Sequence, residues 1–135
     1  MRFLKIIFAK SVITSQYRFW GWKGINRGQK RKWTNALNVN SRWIYFTSGG
    51  TEANNTAVLG IAEAYKKRGN KVITSNIEHP SVADSFKELE ARGFEVVTLN
   101  ADEKGYINLE ELEREVDENT ILVSIMYVNN EVGAI

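Results

Sequence analysis

The 135-residue chain contains no cysteine. That excludes a disulfide framework and leaves no thiol to act as a nucleophile. With a single histidine, His79, it also lacks the clustered His/Cys spacing of a metal site. No apolar run reaches membrane-spanning length. The apolar start, Phe3 to Phe8, is broken by Lys5 and is too short for a secretory signal, so a cytoplasmic location is the expectation. Acidic residues are missing from a whole region. Residues 1–51 hold ten Lys or Arg and no Asp or Glu, and all sixteen acids come later. The four tryptophans (Trp20, Trp22, Trp33 and Trp43) also fall in that region. The break divides the chain into an atypical basic, Trp-rich segment, residues 1–33, and a regular segment, residues 34–135.

Two readings fit the basic segment. One is a nucleic-acid-binding arm, with Lys and Arg for phosphates and aromatic rings for base stacking. The other is a poorly ordered or wrongly read terminus. No recognisable nucleic-acid-binding module frames the arm, so nucleic acid is not the expected partner.

From Thr34 onward a regular pattern is present. Asn35 to Val39 ends a helix, and Trp43 to Phe46 has the composition of a short strand. Glu52 to Arg68 has helical spacing, with Ala53, Ala57, Gly60, Ile61, Ala64 and Tyr65 on one face. Lys71 to Ser75 is a strand. Glu78-His79-Pro80-Ser81 opens a helix that runs to Arg92 and stops at Gly93. Phe94 to Leu99 is a strand, Leu109 to Val116 a short helix with Leu109, Leu112 and Val116 inward, and Thr120 to Met126 an apolar strand. Strands alternating with helices predict an α/β fold around a mainly parallel sheet, whose ligands bind beyond the C-terminal ends of the strands. Three polar junctions fall there: Ser48 to Thr51, Glu78 to Ser81, and Asn129 to Glu131.

The first junction, Ser48-Gly49-Gly50-Thr51, aims backbone N–H groups past a helix N-terminus and suits a phosphate. Its plainer reading is a Gly-rich turn with Thr51 as helix N-cap. It is neither a Walker A loop nor a dinucleotide fingerprint, because the required Lys and the G-x-G-x-x-G spacing are absent. His79 is either a structural ring or one that stacks on an aromatic ligand and exchanges protons near neutral pH. Asn129-Asn130-Glu131 is either an ordinary turn or a source of amide donors.

Three stretches together carry a family resemblance: Thr47-Ser48-Gly49-Gly50-Thr51-Glu52-Ala53-Asn54-Asn55, Glu78-His79-Pro80-Ser81-Val82, and Met126-Tyr127-Val128-Asn129-Asn130-Glu131-Val132-Gly133. In order and spacing they resemble consecutive motifs of the cysteine desulfurases, class-V aminotransferase-type enzymes that use pyridoxal 5′-phosphate. The resemblance runs from about Asn35 to Ile135. It implies part of the fold type I large domain, an α/β/α sandwich. It implies that Gly50 and Thr51 hold the cofactor phosphate. His79 would stack on the pyridine ring and assist proton transfer, and Asn130 would hydrogen-bond the phenolic oxygen. The implied substrate is L-cysteine, converted to L-alanine while its sulfur passes to iron–sulfur clusters and other acceptors, in a homodimer. Selenocysteine lyase, a related branch, shares the visible motifs.

The chain also departs from the family. The Lys that forms the cofactor Schiff base, the Cys that carries persulfide, and the Asp and Gln that contact the cofactor lie downstream of these motifs in the family, beyond Ile135. The chain alone is therefore expected to be inactive. Near Ser41-Arg42-Trp43 the family often has Pro-Asp-Gly, and a one-nucleotide shift interconverts the two. The expectation is that parts of residues 1–43 are read out of frame.

Overall fold

The computed structural model describes residues 34–36, 38, 40, 45–127 and 129. The chain divides into two compact units, residues 12–48 and residues 1–11 with 49–135. In the first unit, residues 34–36 are helical, and the Asn38 N–H donates to the Asn35 carbonyl at 3.3 Å. Asn38 sits at φ 50°, a left-handed conformation that Asn tolerates. The expected strand at Trp43–Phe46 is not found at its described residues. Tyr45 and Phe46 are irregular, and Tyr45 is 83% exposed. Aromatic composition makes a strand only where a paired, half-buried surface receives it.

The second unit has six regular elements: α1 (Gly50–Tyr65), β1 (Lys71–Ser75), α2 (Pro80–Ala91), β2 (Glu95–Leu99), α3 (Leu109–Glu115) and β3 (Thr120–Val123). The three strands are parallel, in the order β2-β1-β3. Lys71 to Ser75 pair in unbroken register with Glu95 to Leu99. Against β3 the register slips between Lys71 and Val72, so that Lys71 faces Thr120 while Val72 faces Leu122. All five residues of central β1 are buried. That burial fits a parallel sheet covered on both faces.

One core binds α1 and α2 to the sheet. Val58 and Ala62 of α1 and Val82, Phe86 and Leu89 of α2 meet Val72 of β1 and Leu122 of β3. Burying a Val, Leu or Phe of this kind contributes about 1.5–3 kcal/mol. The contacts Asn54–Ser81, Asn55–Ser85 and Glu63–Arg92 ascend in step, so the two helices run in the same direction. Their N-termini therefore lie at one edge, beside each other.

Several boundaries and faces differ from expectation. Helix α1 starts at Gly50 rather than Glu52 and gives way to a turn after Tyr65. Its buried residues are Val58 and Ala62, while Ala53, Gly60 and Ala64 are exposed. The buried stripe is rotated because Asn54 and Asn55 hydrogen-bond across to α2, so polar residues occupy positions that a hydrophobic pattern assigns to solvent. Leu109 of α3 is 67% exposed rather than inward. Strand β3 ends at Val123, three residues early, although the Ser124 N–H still donates to the Ile73 carbonyl at 2.9 Å.

At the opposite edge from the helix starts, Lys71 is buried and its ammonium meets Glu115 at 3.2 Å and Asp117 at 3.3 Å. Burial would push this lysine down, but the hydrogen bonds it donates to Glu115 and Asp117 outweigh it and hold Lys71 above its usual range. For Asp117, burial would raise the carboxyl, but hydrogen bonds with Lys71, Thr120 and the Asn119 backbone leave it below its usual range. Gly69 makes a close approach nearby: a Cβ there would lie 2.2 Å from the Asn119 carbonyl oxygen. That same oxygen accepts the Lys71 N–H at 3.1 Å, where β1 begins.

Candidate functional site

The C-terminal ends of β1 and β3 and the starts of α1 and α2 bring the candidate residues together. Gly49 is the N-cap of α1, in extended conformation, and as a glycine it supplies no side-chain cap of its own. Thr51 is thus the second helical residue rather than the N-cap that a plain helix start would make of it. Thr51 is exposed, as is the first-turn acid Glu52. A Cβ added at Gly49 or Gly50 would meet nothing within 4 Å. Among the described residues the helix start is therefore polar, with space beside the two glycines, which suits anion binding at a helix N-terminus.

His79 lies at the start of α2, as the sequence expects, and there it is the N-cap. Pro80 follows at the first helical position, where its missing N–H costs nothing. The His79 Nδ1 accepts the Ser81 N–H at 3.1 Å and lies 2.8 Å from Ser81 Oγ. Asn54 Nδ2 donates to Ser81 Oγ at 2.8 Å. One turn further along, Ser85 Oγ donates to Asn55 Oδ1 at 2.7 Å. The first two turns of α1 are thus joined to the first two of α2 by a polar seam.

Glu78 connects the second junction to the third. Its Oε1 accepts from Ser75 Oγ at 3.2 Å and also from the Met126 N–H. Asn129, buried, donates through Nδ2 to the Ile77 carbonyl at 3.4 Å. These two links tie the segment after β3 to the turn before α2. Asn130, the expected partner of a phenolic oxygen, lies outside the described residues. Glu78, Ser81, Asn54 and Asn55 were not singled out by the sequence as site residues. The bonds Asn54–Ser81, Asn55–Ser85 and Glu78–Met126 join residues 27, 30 and 48 positions apart, which no spacing rule connects.

Asn76 closes the edge beside β2. It donates through Nδ2 to Asn100 Oδ1 at 3.3 Å and accepts the Ala101 N–H at 2.9 Å. Among the described residues no group of His, Asp or Glu side chains could hold a metal ion, and no helix is long and apolar enough to cross a membrane.

Fold and junctions define the class of molecule: a parallel α/β unit whose polar turns gather at the C-terminal ends of its strands. The chain belongs to the class-V aminotransferase family, whose model matches residues 23–135. It is 49% identical over 112 residues to a NifS/IcsS protein homolog of Lactobacillus delbrueckii subsp. bulgaricus, covering 83% of this chain and 29% of that protein. It is 52% identical over 99 residues to the cysteine desulfurase IscS of Buchnera aphidicola subsp. Baizongia pistaciae, covering 73% of this chain and 24% of that one. A solved NifS-like protein superposes with a TM-score of 0.74 at 44% identity, over 78% of this chain and 29% of that structure. The solved complex of SspA with cysteine gives 0.70 at 34% identity, over 78% and 30%. The chain therefore has, in part, the fold of the NifS-like desulfurases, and it spans less than a third of the length of these relatives.

Proposed function

We propose that these residues form the first part of the cofactor site of a cysteine desulfurase, with pyridoxal 5′-phosphate as cofactor and L-cysteine as substrate. The observation that carries this reading is the placing of the glycine-led start of α1 beside the start of α2. Asn54 joins α1 to Ser81 of α2, and among the described residues there is room where Cβ atoms at Gly49 and Gly50 would project. The residues present fit the phosphate of the cofactor. Gly50 and the first-turn backbone would receive it, and the Thr51 hydroxyl would add a donor. His79 would lie against the pyridine ring, and Asn130 would donate to the phenolic oxygen.

When bound, the cofactor supplies an electron sink for bond-breaking at the substrate's α-carbon. The chain's own residues bind, orient and limit motion. The helix end fixes the phosphate, the Asn54–Ser81–His79 seam fixes the imidazole, and the Glu78 and Asn129 links hold the third junction against the second. The complex of the SspA relative with cysteine supports L-cysteine as the substrate. The 135 residues include no cysteine, so the thiol that receives sulfur is not supplied by them. Delivery to iron–sulfur cluster assembly and a homodimeric state complete the proposal. In amide-resolved NMR, adding pyridoxal 5′-phosphate should move the resonances of Gly49 to Ala53 and of His79 to Ser81. Movement confined to surface lysines would refute this reading.

A further inference from the structure

Two donors converge on one ring nitrogen of the only histidine. The Ser81 backbone N–H lies 3.1 Å from His79 Nδ1, and a backbone N–H can only donate. Ser81 Oγ lies 2.8 Å from the same nitrogen. Asn54 Nδ2 donates into Ser81 Oγ at 2.8 Å, and because Nδ1 already accepts the Ser81 N–H, the contact between Ser81 Oγ and Nδ1 is one in which the hydroxyl donates. Nδ1 must therefore carry a lone pair and no hydrogen. A neutral imidazole has one N–H, so its hydrogen resides on Nε2.

We infer that the N-cap of α2, reinforced by the Asn54–Ser81 relay from α1, locks neutral His79 as the Nε2–H tautomer, so that toward a bound ligand it is a hydrogen donor at Nε2 and not a base. Ser81 and Asn54 are positioning residues, acting only through the imidazole. The two helices cooperate in this. Ser81 is the second residue of α2, where an N-cap acceptor finds its N–H, and Asn54 reaches it because α1 runs alongside in the same direction. The chemical consequence deepens the proposed cofactor reading and rests on it. Removal of a proton from the substrate falls to another group, while His79 stabilises negative charge by donating from Nε2. The tautomer itself does not depend on the cofactor.

Because His79 is the only histidine, ring-15N labelling of the full chain gives a single imidazole pattern. It should be recorded without ligand at about pH 8, above the ordinary histidine range. The expected long-range 1H–15N spectrum has Nδ1 at the unprotonated position and Nε2 at the protonated position. Ser81→Ala should shift both nitrogens part of the way toward the tautomer-averaged value, Ser81→Thr should restore the original pattern, and Asn54→Ala should give a smaller shift in the direction of Ser81→Ala. Averaged or reversed nitrogens in the unmodified chain overturn the inference. An unmoved spectrum in Ser81→Ala overturns the relay, and if that variant loses amide dispersion, Asn54→Ala decides in its place. A locked tautomer with no response to the phosphate cofactor preserves this inference while the cofactor reading fails. A response to the cofactor with averaged nitrogens does the reverse.

Discussion

The same substitution, Gly to Ala, should have opposite effects at Gly69 and at Gly60. At Gly69 the new Cβ would sit 2.2 Å from the Asn119 carbonyl oxygen, 2.7 Å from its carbon and 2.8 Å from its Cα. All three are backbone atoms, so relief requires moving the chain by about 1 Å rather than rotating a side chain, at about 1–3 kcal/mol. The displaced oxygen is the acceptor of the Lys71 N–H, so that bond weakens, at about another 1 kcal/mol. The smaller unfolded-state entropy of Ala returns only about 0.4–1 kcal/mol. Gly69→Ala should therefore destabilise the chain by about 1–3 kcal/mol. Gly60 is exposed in the middle of α1, and a Cβ there meets nothing within 4 Å. Gly60→Ala should stabilise by about 0.5–1 kcal/mol through helix propensity alone. Urea unfolding monitored by circular dichroism reads both as midpoint shifts of opposite sign at equal slope. A neutral or stabilising Gly69→Ala would refute the close approach of residues 69 and 119.

Glu78→Ala removes the acceptor for both Ser75 Oγ and the Met126 N–H. It should cost about 1–3 kcal/mol and accelerate hydrogen exchange at Met126, whereas Glu78→Gln, which keeps an oxygen acceptor, should cost less. The Lys71 cluster should give a pH signature. The folded pKa of Lys71 is raised, so its contribution is complete below the unfolded value and is lost as pH rises through the folded one, above about pH 10. Asp117 is lowered when folded, so its contribution is present above the unfolded value and is lost as pH falls through the folded one, below about pH 4. Lys71→Met should flatten both limbs in a pH series of unfolding midpoints. An unchanged profile would show that the cluster is not coupled to folding.

The elements with local punctuation were the legible ones. Pro80 and Gly93 bracket α2, and Gly93 has φ 88°, the left-handed geometry that favours glycine after a helix. Lys71 to Ser75 reads as a strand and is one, although the buried Lys71 becomes intelligible only once Glu115 and Asp117 are seen beside it. The inward face of α1 is legible only in part: Ile61 packs against the core as expected, while Asn54 and Asn55 hydrogen-bond to serines of α2 across 27 and 30 residues, a contact that hydrophobic periodicity cannot register. The link from Glu78 to Met126 spans 48 residues and is equally invisible to spacing. Leu109 was assigned inward because helical spacing shows which residues share a face, not whether another element covers it. The sequence did mark the junctions. Gly50, Thr51 and His79 lie at helix starts on one edge of the sheet, joined through Asn54 and Ser81. Asn130, the basic segment 1–33 and the out-of-frame reading of residues 1–43 fall largely or wholly on residues outside those described.

The proposed role of the start of α1 is to hold the phosphate of the cofactor. Its most direct test is a calorimetric comparison of pyridoxine 5′-phosphate with pyridoxine, neither of which carries an aldehyde to react with lysines. A charge-assisted hydrogen-bond set at the helix end predicts at least about tenfold tighter binding of the phosphate form, a difference of about 1.4 kcal/mol or more. Equal affinity for the two compounds would rule out a phosphate site at the start of α1.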